Sequence, residues 1–115
     1  MAAGGVAYLM GGDAKQISHA AALALKNLLG LACDPVAGLV EVPCVKRNVM
    51  GAVNAMTSSD MVMAGITSKI PPDEVIDAMR AIGRSMSEDI RETGKGGLAG
   101  TPTGVAIRER MAGTL

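Results

Sequence analysis

The 115-residue chain has no tryptophan, no phenylalanine and one aromatic residue, Tyr8. It also lacks an excess of either charge, with 11 Lys plus Arg against 11 Asp plus Glu. Nucleic-acid binding draws on a basic surface and often on stacking aromatics. Neither is available, so that function is set aside. Long apolar runs are missing too. Ala20 to Leu25 stops at Lys26-Asn27, and Leu28 to Cys33 stops at Asp34. Both fall well short of the ~18 residues of a membrane span. The start lacks the basic region of a signal peptide. These absences point to a cytoplasmic protein with no membrane segment. Cysteine is scarce as well, at two residues, and histidine is represented by His19 alone. In a reducing compartment two thiols favour a metal or buried sulfhydryls over a disulfide.

What is abundant is small or flexible. Almost half of the residues are apolar, among them nine methionines, and there are 15 glycines. Ala and Met favour helices, and small side chains let helices approach closely. The expected fold is all-α: one compact domain spanning residues 1–115, with about four to five helices, a cysteine-bearing loop and a Gly-rich C-terminal tail. Met1 to Met10 reads as a helix without a capping residue. That suggests a piece of something longer, because an uncapped start leaves backbone donors unpaired. Gly11-Gly12 ends this helix. Asp13 caps the next, with Gln16 completing a capping-box pattern. That helix is expected to reach about Gly30 and is apolar almost all round, which predicts burial on more than one side and a partner surface.

After Cys44, helical spacing returns. Val45, Val49, Ala52, Val53 and Met56 share a face, expected to be the buried one. Thr57-Ser58-Ser59-Asp60 reads as a polar patch on one helix or, the favoured alternative, as a break, with Met61 to Ile66 continuing to Lys69. Ile70-Pro71-Pro72 stops and restarts the chain. Asp73 and Glu74 then sit in a first turn, where the helix dipole favours acids. Val75, Met79, Ile82 and Met86 form a stripe expected to pack in the core, with Gly94 as the helix stop. Residues 93–104 read as loop or extended tail, and the structure of the last residues is left open. Gly94-Lys95-Gly96-Gly97 is not a phosphate loop, since the required spacing and the Ser or Thr after Lys are absent.

The two cysteines frame Cys33-Asp34-Pro35-Val36-Ala37-Gly38-Leu39-Val40-Glu41-Val42-Pro43-Cys44, the longest interruption between helical segments. Pro35 and Pro43 disfavour helix at the residues before them. By spacing alone, two buried thiols and a metal site are equally good readings. Zinc fits poorly, because its sites use close pairs such as Cys-x2-Cys. An iron–sulfur cluster tolerates wider spacings but needs more ligands than this chain holds.

This string, followed by Val45-Lys46-Arg47-Asn48, resembles the cluster-binding segment of iron–sulfur-dependent L-serine dehydratases (L-serine ammonia-lyases). Ser18-His19-Ala20-Ala21 through Lys26-Asn27-Leu28-Leu29-Gly30-Leu31 matches the helix before that loop. Glu92-Thr93-Gly94-Lys95-Gly96-Gly97-Leu98-Ala99 matches the end of the family's α domain. The resemblance implies a 4Fe–4S cluster held by three cysteines. Cys33 and Cys44 are two of these, and the third lies upstream, outside this chain. It implies a Lewis-acid iron acting on the serine hydroxyl, a general base that is not assigned here, and release of pyruvate and ammonia. It also implies partners: the remainder of the α domain or a β domain or subunit, L-serine as substrate, and an oligomer. By itself the chain is expected to be inactive. The chain end holds no cysteine of the kind that reaches back to the cluster in some members.

Other residues are weighed against plainer roles. His19 could be a base or ligand, but on an apolar helix a histidine is more often a satisfied core residue. Lys26-Asn27 and Arg47-Asn48 flank the loop as substrate-binding or supporting candidates, against ordinary helix-end polarity. Arg47 lies near a helix start, where a cation is disfavoured, which points to a specific anionic partner. Two further functions stay open: a related enzyme releasing sulfide from L-cysteine, and a non-enzymatic helical interaction module with structural thiols.

Overall fold

The structure is a computed structural model and describes residues 1–114. Its five helices are α1 (Ala2–Leu9), α2 (Ala14–Lys26), α3 (Cys44–Met63), α4 (Pro72–Ser85) and α5 (Pro102–Ala112). Short 3-10 turns occupy Val36–Gly38, Glu88–Ile90 and Gly97–Gly100. Among the described residues there is no strand, only one isolated parallel bridge between Cys33 and Arg91. Among the described residues no helix is long and apolar enough to cross a membrane. The chain divides into two compact units. The first comprises Met1–Gly30 and Val49–Arg84, the second Leu31–Asn48 and Ser85–Leu115.

Helix ends follow local chemistry. No side chain caps the start of α1. Its end is a Schellman turn: Gly12 N–H donates to Ala7 O and Gly11 N–H to Tyr8 O, with Gly11 at φ +85. The Asp13–Gln16 capping box is present in full, each side chain accepting from the other residue's N–H. α2 ends at Lys26, four residues before the expected Gly30. α3 runs unbroken through Thr57–Asp60, so the expected break is absent. It stops at Met63 rather than Lys69 because Gly65, at φ +88, makes a second Schellman turn. There Gly65 N–H donates to Val62 O and Ile66 N–H to Met61 O. α4 begins at Pro72 with Asp73 and Glu74 in its first turn and ends at Ser85, so Gly94 is not its stop. The Gly-rich stretch is not a terminal tail. It leads into α5, whose Thr101 cap accepts from Gly104 N–H at 3.1 Å, with Pro102 in the first turn.

The first unit packs around Ala3, Ala7, Ala20, Leu23, Ala55 and Val62, with Ile17, Ala24 and Met61 against them. Alanines allow the backbones to come close. Gly4 shows how close: a Cβ there would sit 3.4 Å from Ile17 Cγ2 of α2. α3 turns a different face inward from the one expected. Val45, Val49, Val53 and Met56 are exposed, Val49 by 63 %, while Ala55, Ser58, Ser59 and Val62 are buried. Small size decides this. Ser59 fits where a larger side chain would not, and its hydroxyl donates to Ala3 O (2.8 Å) or Ala55 O (2.9 Å). On α4, Val75 is buried but Met79 is exposed, so the expected core stripe is only partly inside.

Candidate functional site

The cysteine segment lies in the second unit and is held along its length. At its start the Cys33 backbone is paired on both sides. Cys33 N–H donates to Ile90 O at 2.9 Å, and Glu92 N–H donates to Cys33 O at 2.7 Å. In the middle, Val36 N–H donates to Val42 O at 2.9 Å and closes an inner loop. That loop contains Ala37 at φ +56. At its end Cys44 opens α3, and Asn48 Nδ2 folds back one turn to donate to Cys44 O at 3.0 Å.

Asp34 and Arg47 join the two ends. Arg47 Nη1 donates to Asp34 Oδ1 at 2.5 Å and to Ala32 O at 2.7 Å. Asp34 is 3 % exposed, and its other oxygen accepts from Leu98 N–H at 2.6 Å. The anionic partner that Arg47 called for is thus inside the chain. Burial works against the Asp34 charge. The Leu98 N–H and the Arg47 guanidinium outweigh it and hold the carboxyl below the usual carboxylate range.

Both thiols are free and half-buried. Partial burial pushes the Cys33 thiol up, and the Glu92 carboxylate and the neighbouring Cys44 push the same way, against Arg47. The two cysteines offer two soft sulfur donors within one small unit, the donor type that iron–sulfur clusters and zinc prefer. Among the described residues no group of three or more His, Cys, Asp or Glu could hold a metal ion. The donors present therefore fit part of a cluster's ligand set, not all of it.

Of the residues singled out in the sequence, Cys33, Cys44, Arg47 and Asn48 come together in the second unit. His19, Lys26 and Asn27 belong to the first. His19 Nδ1 accepts from Ser68 N–H at 3.1 Å, which accounts for it as a satisfied, half-buried residue. Asn27 Nδ2 donates to Asn54 Oδ1 at 2.7 Å, and Asn54 Nδ2 donates to Ala24 O at 3.0 Å. That network ties the end of α2 to α3. Lys26 lies in the last turn of α2, where a cation suits the dipole. The sequence pattern did not point to Asp34 as the centre of the segment, nor to Gly94 and Gly97 as the glycines packed against Pro35 and Asp34. The signal available was an acid between Cys33 and Pro35 with an arginine thirteen residues on.

An all-helical chain whose two thiols are displayed by one tightly tethered segment is the kind of protein that family comparison can place. The profile of the serine dehydratase alpha chain family matches residues 1–99. The probable L-serine dehydratase alpha chain of Latilactobacillus sakei is 59% identical over 113 residues, covering 98% of this chain and 54% of that protein. The probable L-serine dehydratase alpha chain of Bacillus subtilis is 60% identical over 113 residues, covering 98% and 38%. The L-serine dehydratase alpha chain of Peptoniphilus asaccharolyticus is 51% identical over 108 residues, covering 94% and 37%. No solved structure matches. The chain belongs to the serine dehydratase alpha chain family. It spans about half or less of the length of these curated relatives.

Proposed function

We propose that this chain is the cysteine-bearing part of an L-serine dehydratase, a lyase that converts L-serine to pyruvate and ammonia in the cytoplasm. In this reading Cys33 and Cys44 are two ligands of a 4Fe–4S cluster, and further ligation comes from residues outside this chain. When bound, the cluster supplies a Lewis-acid iron that makes the serine hydroxyl a better leaving group. The observation that carries the reading is that both thiols lie in one unit, on a segment tied at both ends, in a chain from this family.

The chain's own residues then have limited tasks. Cys33 and Cys44 present thiolates, and metal binding removes the protons that burial and Glu92 favour. Arg47 has Nη1 committed to Asp34 and Ala32 O, so it acts first in holding the segment. Asn48 secures the first turn of α3 through Cys44 O. The general base, the β domain or subunit and the remainder of the α domain lie outside this chain, which is therefore inactive alone.

The test is anaerobic reconstitution of the full chain with its accompanying subunits, followed by assays on two substrates. Pyruvate from L-serine supports the proposal. Sulfide from L-cysteine with no turnover of L-serine replaces it with the desulfidase reading. A folded, thiol-reduced protein that stays colourless supports the interaction-module reading instead.

A further inference from the structure

Asp34 is a buried acid with no part in the chemistry above, and it sits at the crossing of three segments. It follows Cys33 directly. Its Oδ1 accepts from Arg47, one turn past Cys44 on α3. Its Oδ2 accepts from Leu98 N–H in the glycine-rich stretch. A single carboxylate therefore ties the neighbour of one thiol to the helix that carries the other, and both to a third loop.

The glycine-rich stretch is shaped around this group. A Cβ on Gly97 would fall on the Asp34 carboxylate, and Gly97 also holds a left-handed φ of +58. A Cβ on Gly94 would sit 3.3 Å from Pro35 O, and its φ is +64. Opposite Cys33, Glu92 is a non-glycine residue at φ +66. Left-handed backbone at a non-glycine residue persists where its surroundings over-determine it. Here the surroundings are the two Cys33 backbone bonds and the Asp34 clamp.

Ten residues separate the thiols, and a flexible loop of that length would hold them at no fixed distance. Little apolar burial is available to do so: in the second unit Pro35, Val36 and Ala99 are the buried apolar side chains among the described residues. A charge-assisted bond to a buried carboxylate is the stronger device. We propose that Asp34 is the positioning residue of the thiol pair. Its clamp by Arg47 and Leu98 N–H sets how Cys33 and Cys44 face a shared ligand, and Gly97 is glycine to admit the carboxylate. The proposal rests on the cluster reading for the identity of that ligand, but the geometry of the thiol pair can be tested without it.

Two readouts on the full chain, purified anaerobically with its accompanying subunits, test this. The first is retention of iron against a chelator after reconstitution. The second uses metal-free, reduced protein: the rate at which dibromobimane bridges Cys33 to Cys44, located by peptide mass spectrometry. Asp34→Asn keeps the shape and removes the charge. Gly97→Ala leaves thiols and charges alone. Each is expected to weaken iron retention by roughly 10- to 100-fold, the usual effect of losing a partner that orients a ligand. Each is also expected to slow bridging, with the helical circular dichroism unchanged. Asp34→Asn combined with Arg47→Gln should fall short of the sum of the two single effects, because both remove the same Asp34–Arg47 bond. Wild-type iron retention and bridging in Asp34→Asn would overturn the proposal, whether or not Gly97→Ala folds. If the wild-type chain takes up no iron, the cluster reading fails. The bridging comparison then decides the positioning role alone.

Discussion

The two units of this chain are held together by different means. The first has Ala3, Ala7, Ala20, Ala22, Leu23, Ala55, Val62 and Val75 buried, a core of contact between small helical side chains. The second has Pro35, Val36 and Ala99, and relies on Asp34, Arg47, paired loop backbone and left-handed glycines. Apolar burial is non-directional and tolerates small shifts. Hydrogen bonds and positive-φ turns fix positions but contribute only about 0.5–1.5 kcal/mol each. A unit built mainly from the second kind is well suited to presenting side chains and poorly suited to standing alone. Ligand binding to such a unit adds to its stability, because metal affinity and folding are linked.

Perturbing each unit should separate these roles. The largest effect falls on the thiols. Cys33→Ser or Cys44→Ser is expected to abolish pyruvate release from L-serine by the reconstituted full enzyme, with helical circular dichroism retained. Next is Leu23→Ala in the alanine core. It should lower stability by about 2–4 kcal/mol, as a cavity in a packed site does. Measured as a shift in denaturation midpoint, that loss should leave iron per folded chain unchanged. Ser59→Ala is smaller. It removes the hydroxyl that donates to Ala3 O or Ala55 O, both of which lie in this core, and should cost about 1 kcal/mol in the same assay. Asp13→Ala removes one half of the capping box, and its effect is expected to be about 0.5–1 kcal/mol, with α2 fraying first by hydrogen exchange. A core variant that stripped iron from folded protein would break the division between the units.

The sequence revealed these two regions unequally. Helix starts were legible where local chemistry marks them, as at the Asp13 cap and at Pro72 followed by Asp73 and Glu74. Helix ends were less so. Gly65 ends α3 by a Schellman turn, yet it lies within an apolar run that looked continuous. The inward face of α3 was misread because hydropathy favours Val49 and Val53, whereas Ser58 and Ser59 are small enough for the tight approach. Of the polar residues beside the thiols, Arg47 stood out because a cation near a helix start wants an anion. Asp34 did not, since its partner Leu98 N–H lies 64 residues away and no local pattern encodes that bond. α5 was hidden by the glycines before it, although Thr101-Pro102 is an adequate start signal.

The central claim is that Cys33 and Cys44 jointly hold an iron–sulfur cluster. The most direct measurement is iron and acid-labile sulfide per chain after anaerobic reconstitution of the full protein, compared with the Cys33→Ser and Cys44→Ser variants. The account predicts about four iron and four sulfide in the wild type, as a 4Fe–4S cluster requires, and loss of both in each variant. Equal iron and sulfide in all three proteins would contradict it.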